Sequence, residues 1–105
     1  MGRSFFYITA GSREEAEKIA AVLVENNLVA CANVFGGVQS FFQWEGEVKK
    51  EEELLVVGKT RTDLVGELVE KVKEVHSYDV PCVISWPITH GNSEFLHWID
   101  RETQK

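Results

Sequence analysis

Cysteine is scarce in this chain of 105 residues, basic side chains are outnumbered, and long apolar runs are absent. The two cysteines, Cys31 and Cys82, stand far apart with no local spacing. That excludes a disulfide framework and predicts a reduced, cytoplasmic protein. With 11 basic against 17 acidic residues the formal net charge is −6, and the one basic cluster, Lys49-Lys50, runs at once into Glu51-Glu52-Glu53. A dedicated nucleic-acid binder needs a clustered basic face for phosphate contacts, so that class is excluded. No apolar run is long enough to span a membrane. Met1-Gly2-Arg3 leads into a short apolar stretch that reads as a strand rather than a signal sequence. Catalytic motifs are missing as well. Gly36-Gly37 lacks a phosphate-binding fingerprint, and no serine sits in a nucleophile elbow. The expectation is one non-enzymatic domain over residues 1–105 with a single core.

The chain is nevertheless rich in periodic signals. Residues 3–9 are aromatic and β-branched and end at Ala10-Gly11, as a first strand does. Ser12 followed by Glu15 predicts a capping box, and Ala16, Ile19, Ala20 and Leu23 then recur at helical spacing up to Asn26-Asn27. A second helix is expected from Thr60 or Thr62, carrying Leu64, Val65, Leu68, Val72 and Val75 inward and ending at His76. Residues 82–86 form a fourth strand that Pro87 marks as an edge or an end. A last helix, capped by Asn92 or Ser93, contains Phe95, Leu96, Trp98 and Ile99.

Between the first two helices lies the most distinctive stretch. Residues 29–44 read as a strand bent at Gly36-Gly37, Glu45-Gly46 as a tight turn, and residues 47–57 as the returning strand. Period-two alternation puts Val38, Ser40, Phe42 and Trp44 on one face, with Gln39, Phe41 and Gln43 on the other. The charged run 47–53 implies a solvated far end, and Leu54-Leu55-Val56-Val57 a base buried on both faces. A two-stranded arm of this length is rarely stable alone and calls for a partner chain. Trp44, next to the turn, reads as a subunit contact, whereas Phe41 and Trp98 read as core. The element order β-α-β-β-α-β plus a terminal helix defines an α+β, ferredoxin-like sandwich with a long hairpin between its second and third strands.

Five side chains could ligate a soft or borderline metal: Cys31, Cys82, His76, His90 and His97, none in a zinc-type pair. His90 reads as solvated and His97 as cover for apolar surface. Cys31 suits a small core residue as well as a ligand, and His76 suits a helix C-terminal cap as well as a ligand. Glu53 and Lys59 read as an ion pair. Gly11-Ser12-Arg13 opens a helix and offers an anion site that Glu14 and Glu15 would repel.

Several separated motifs agree with one family. Ala30-Cys31-Ala32-Asn33, Ser40-Phe41-Phe42-Gln43-Trp44-Glu45-Gly46, Glu53, Lys59-Thr60, His76-Ser77-Tyr78-Asp79-Val80-Pro81, Pro87-Ile88-Thr89-His90-Gly91 and Phe95-Leu96-His97-Trp98-Ile99 together resemble the CutA, or divalent-cation tolerance, family over nearly the whole chain. The resemblance implies a ferredoxin-like subunit assembling as a homotrimer through its hairpins. It also implies a part in tolerance of divalent metal ions, copper especially, and hence bound copper or another divalent cation. Carried over, it places an inter-subunit pocket at Trp44, Glu53, Lys59, Tyr78 and Pro81. Cys31 and His76 become metal candidates, with Cys82 in reserve. Four positions depart from the family's habit: Ser77 where proline is common, Cys82 where glutamate is, Phe42 where tyrosine is, and Val75-His76 where some relatives pair two histidines. An alternative from another class is a small-ligand signalling or scaffold trimer, analogous to the PII-like trimers that share this subunit architecture.

Overall fold

In the computed structural model, which describes residues 2–104, each strand and helix forms where the apolar period changes. The elements are β1 (Arg3–Ala10), α1 (Arg13–Glu25), β2 (Cys31–Trp44), β3 (Glu47–Arg61), a 3-10 turn (Thr62–Leu64), α2 (Val65–Val75), β4 (Val83–Pro87) and α3 (Ser93–Glu102). The strands form one antiparallel sheet in the order β2-β3-β1-β4. This mixed α+β arrangement is the ferredoxin-like order anticipated above.

Alternation along β1 sends Phe6, Ile8 and Ala10 to one face, where α1 contributes Ala16, Ile19 and Leu23 and α2 contributes Leu68 and Val72. Together with Val56 of β3 these side chains make the core. Gly58 lies at its tightest point: a Cβ there would stand 2.0 Å from the Cys31 carbonyl oxygen and 2.8 Å from the Phe6 ring. The opposite sheet face carries Phe5, Tyr7 and Thr9. α3 covers one end of it, with Asp100 chelating Arg3 at 2.6 and 3.0 Å and Thr103 accepting from Arg61 at 3.0 Å. Elsewhere on that face Thr9, Leu55 and Val57 are buried, whereas Ile84 and Trp86 of β4 are about half exposed.

The hairpin is longer than the sheet that supports it. β1 meets β3 only from Ala10↔Leu54 to Arg3↔Arg61, so β3 before Leu54 pairs with β2 alone. A bulge between Phe35 and Val38, with Gly37 at φ 80°, bends β2 where this support ends. Glu45 at φ 50° and Gly46 at φ 80° close the arm in the two left-handed positions of a type I′ turn.

Several expectations are corrected. β3 runs on to Arg61, and Thr60 belongs to the strand rather than to the second helix. Thr60 is held there because its hydroxyl donates to the Leu28 carbonyl at 2.6 Å while its backbone pairs with Ser4. The capping box is half realised: Ser12 accepts from the Glu15 N–H at 3.1 Å, but the Glu15 carboxylate turns to Ser77 instead. Phe41 is not core. It is 65% exposed on the arm, with Lys50 Nζ 5.8 Å from its ring.

Candidate functional site

Where the hairpin leaves the sheet, the loop after α2 folds back towards it and borders an open cleft of about 690 Å³. Three segments build its walls. β2 supplies Ser40, Phe42 and Trp44; β3 supplies Lys49, Glu51 and Glu53; the loop supplies Tyr78, Asp79 and Val80. Tyr7, Thr9 and Cys82 form the end nearest the sheet. Strand alternation explains the hairpin's share, since Phe42 and Trp44 lie on the same face as Glu51 and Glu53 of the paired strand.

The loop is held by side chains that no local pattern reveals. Glu15 of α1 accepts from the Ser77 N–H at 2.7 Å and from its hydroxyl at 3.0 Å. Burial would push the Glu15 carboxyl up, but these two bonds, together with His76 and the Gly11 N–H, hold the group below the usual carboxylate range. The fully buried His76 side chain donates from Nε2 to the Thr9 carbonyl at 2.8 Å, and its Nδ1 accepts from the Tyr78 N–H at 3.1 Å. Only the neutral tautomer with its proton on Nε2 satisfies both bonds. Glu15 Oε2 lies 4.0 Å from Nδ1.

Tyr78 is the loop's contribution to the cleft. Its hydroxyl passes over Gly11, where a Cβ would come within 3.0 Å, and donates to Glu53 Oε2 at 2.9 Å. Burial, then the Glu53 bond and charge, push the phenol up to about 12. It stays protonated at neutral pH and remains a donor to the carboxylate. Burial, followed by the charge of Glu53, also raises the Cys82 thiol above its ordinary range, against an opposing hydrogen bond with Thr9.

Of the five residues expected in a pocket between subunits, Trp44, Glu53 and Tyr78 line this cleft of a single chain. Pro81 sits between the lining residues Val80 and Cys82 without joining them. Lys59 stands elsewhere: six positions along β3 from Glu53 is roughly 20 Å of extended chain. Its Nζ lies 3.5 Å from Asn33 Oδ1 and 6.0 Å from the Phe95 ring centroid. The expected Glu53–Lys59 ion pair does not form within the chain.

The three metal candidates are not gathered either. Cys31 is opposite Lys59, which is opposite Phe5, on the outer strand β2. Cys82 adjoins Val83 beside Ile8, on the far side of the sheet at the other end of β1. Both ring nitrogens of His76 already have partners, so the imidazole offers no free lone pair. Among the described residues no group of three or more His, Cys, Asp or Glu side chains is arranged to hold a metal ion. Within one chain these residues do not fit a copper centre.

A four-stranded sheet with a hairpin arm and a cleft at its root defines a class of α+β subunit, and the comparisons place this one within it. The family model described as CutA1 divalent ion tolerance protein matches residues 4–102. The divalent-cation tolerance protein CutA of Archaeoglobus fulgidus is 46% identical over 101 residues, 96% of this chain and 98% of that protein. The corresponding protein of Thermus thermophilus is 44% identical over 91% of this chain and 93% of its own length. This chain is also 41% identical to the chloroplastic CutA protein of Arabidopsis thaliana, of whose length it spans 54%. The solved structure of the periplasmic divalent cation tolerance protein CutA from Archaeoglobus fulgidus superposes with a TM-score of 0.94 at 45% identity, covering 97% of this chain and 99% of that one. The chain belongs to the CutA divalent-cation tolerance family.

Proposed function

We propose that this protein acts in divalent-cation tolerance as a cytoplasmic, non-enzymatic homotrimer that binds copper. One observation carries the choice of donors: Cys31 and Cys82 are free, partly exposed thiols, whereas His76 is sealed by hydrogen bonds. Thiolates favour soft cations, and each thiol stands alone in its chain, so a complete donor set draws on more than one copy. Support for assembly comes from the arm and the sheet face beside it. Phe35, Trp44, Ile84 and Trp86 are each about half exposed, far more apolar surface than a solitary subunit usually leaves in water. Free thiols are also what a reducing compartment favours.

Copper titration of the reduced, metal-free protein against a competing chelator tests the reading. Saturable binding in whole-number ratio to chains, lost in Cys31→Ser and Cys82→Ser and retained in His76→Asn, is the expected result. Unchanged affinity in both cysteine variants overturns the assignment. Light scattering and cell fractionation test the trimer and the compartment.

A further inference from the structure

The anchor of the loop after α2 is a hydrogen-bonding arrangement that one proton would undo, and every member of it belongs to one chain. The His76 side chain has no exposed surface, so the addition of further copies cannot uncover it. Its two ring nitrogens have different roles. Nε2 lies 2.8 Å from the Thr9 carbonyl, which only accepts, and Nδ1 lies 3.1 Å from the Tyr78 N–H, which only donates. Nδ1 therefore holds the loop through its lone pair. A proton on that nitrogen sets two donors face to face in a place closed to water, and a buried donor without an acceptor is costly.

An acceptor for that proton stands beside the ring. Glu15 Oε2 is 4.0 Å from Nδ1 while it accepts from the Ser77 N–H at 2.7 Å, and Oε1 accepts from the Ser77 hydroxyl at 3.0 Å. Glu15 is the charged group that α1 turns towards the imidazole. On the loop side stands the Tyr78 phenol, its ring centroid 4.6 Å from that of the imidazole, and behind it Glu53 of β3, which accepts from the phenol at 2.9 Å. β1 presents the Thr9 carbonyl, with the Cys82 thiol beyond it. α2 presents its C-terminal end, where the His76 N–H bonds the Val72 carbonyl at 2.9 Å. The same groups thus allow two arrangements, with Nδ1 accepting from Tyr78 or donating to Glu15.

We infer that His76 is a proton-operated latch: a proton from solvent binds Nδ1, displaces the Tyr78 N–H, donates to Glu15 Oε2 and frees the segment that carries Tyr78. Nε2 keeps its bond to Thr9, and Glu15 Oε1 its bond to the Ser77 hydroxyl, so the ring and α1 stay in place while the loop moves. The freed segment takes the phenol from Glu53, and the bond that ties the loop to β3 is lost in the same step. One proton is taken up, the charge rises by one, and an N–H···N bond gives way to an N–H···O bond with a carboxylate. The latch is independent of the copper reading, whose donors are the thiols.

Nitrogen-15 spectra of the His76 ring, recorded on the intact, metal-free, assembled protein as pH falls, provide the test, with hydrogen exchange of the Tyr78 amide followed in parallel. The expected result is a one-proton step in which Nδ1 changes from acceptor to donor. At the same midpoint the Tyr78 amide, corrected for its intrinsic rate, exchanges about tenfold faster. Glu15→Gln still accepts from Ser77 but carries no charge, and moves the midpoint to lower pH. Glu14→Gln, on the exposed neighbour, leaves it in place. A ring step that leaves the Tyr78 amide equally protected overturns the proposal, as does an unmoved midpoint in Glu15→Gln. So does a ring that takes no second proton before circular dichroism reports acid unfolding, which would make His76 a fixed structural anchor. Copper results in the cysteine variants bear on none of these outcomes.

Discussion

β2 and β3 form one continuous ladder, yet its two halves live in different solvents. At the base, Leu55, Val56 and Val57 are 8, 0 and 8% exposed, clamped between β1 and β2 and covered on the core face by the helices. Beyond the Phe35/Val38 bulge the same two strands run on with Val48 69% exposed and Phe41 65% exposed. Backbone pairing is equally regular in both halves. What differs is the third layer, so hydrogen-bonded register alone says nothing about where the free energy of the hairpin resides. The molecule's 44 Å long axis, against 25 and 23 Å across, reflects that unsupported arm.

The contrast can be broken most severely at the base. Gly58→Ala forces a methyl group into the Cys31 carbonyl and the Phe6 ring. The expected loss exceeds about 4 kcal/mol, to the point of preventing folding, as urea unfolding followed by circular dichroism will show. His76→Ala is next. It leaves the Thr9 carbonyl and the Tyr78 N–H without partners and opens a cavity, for an expected loss of about 3 kcal/mol. A loss under 1 kcal/mol in the same assay would show that the loop is not anchored through this ring.

At the boundary between the halves, Tyr78→Phe removes a hydrogen bond to a buried carboxylate and should lower stability by roughly 1–2 kcal/mol. The sign of its pH dependence follows from the raised folded value. The unfolded phenol titrates near pH 10, so this stabilisation is complete below that pH and is lost as pH rises towards about 12. Absorbance at 295 nm should show a late phenolate step that Tyr78→Phe abolishes and Glu53→Gln moves down. An unshifted step in Glu53→Gln would leave burial as its only cause.

Glu15→Gln should cost about 1 kcal/mol at neutral pH. The folded Glu15 value is lowered, so its contribution is present above the ordinary carboxyl range and disappears as pH falls through the folded value. Urea midpoints taken down to pH 3 should converge with wild type at the acid end. The smallest effect is expected at the arm: Phe41→Ser should change the unfolding free energy by less than about 0.5 kcal/mol, with hydrogen exchange fast beyond the bulge in any unassembled chain. Slow exchange there in the assembled protein would sharpen the comparison by showing that a second copy supplies the missing layer.

The regular elements were legible because their signals are local. The Ser12 cap, the Glu45-Gly46 turn and the helical spacing of Ala16, Ile19 and Leu23 each depend on residues a few positions apart. The ends of elements were less legible. Nothing near Thr60 announces a strand, because what keeps it extended is Leu28 and Ser4. The site was legible only in part. Trp44, Glu53 and Tyr78 were named and do meet, but the Glu15–Ser77 and His76–Thr9 bonds span 62 and 67 positions and leave no local trace. Lys59 was grouped with Glu53 by the family resemblance, in a pocket between subunits, and within one chain the length of β3 keeps the two apart.

By itself, then, the sequence determined which segments are strands and helices, which face of each is apolar, the bend at Gly36-Gly37, and membership of the CutA family. Those properties are set by side-chain size, backbone preference and spacing along the chain. The tertiary structure alone decided that His76 is a doubly bonded anchor, that Cys31 and Cys82 stand apart, and that Glu53 is buried beside Tyr78. Protonation state, burial and the partner of a charge depend on what distant segments bring within a few ångströms, and chain order does not encode that distance.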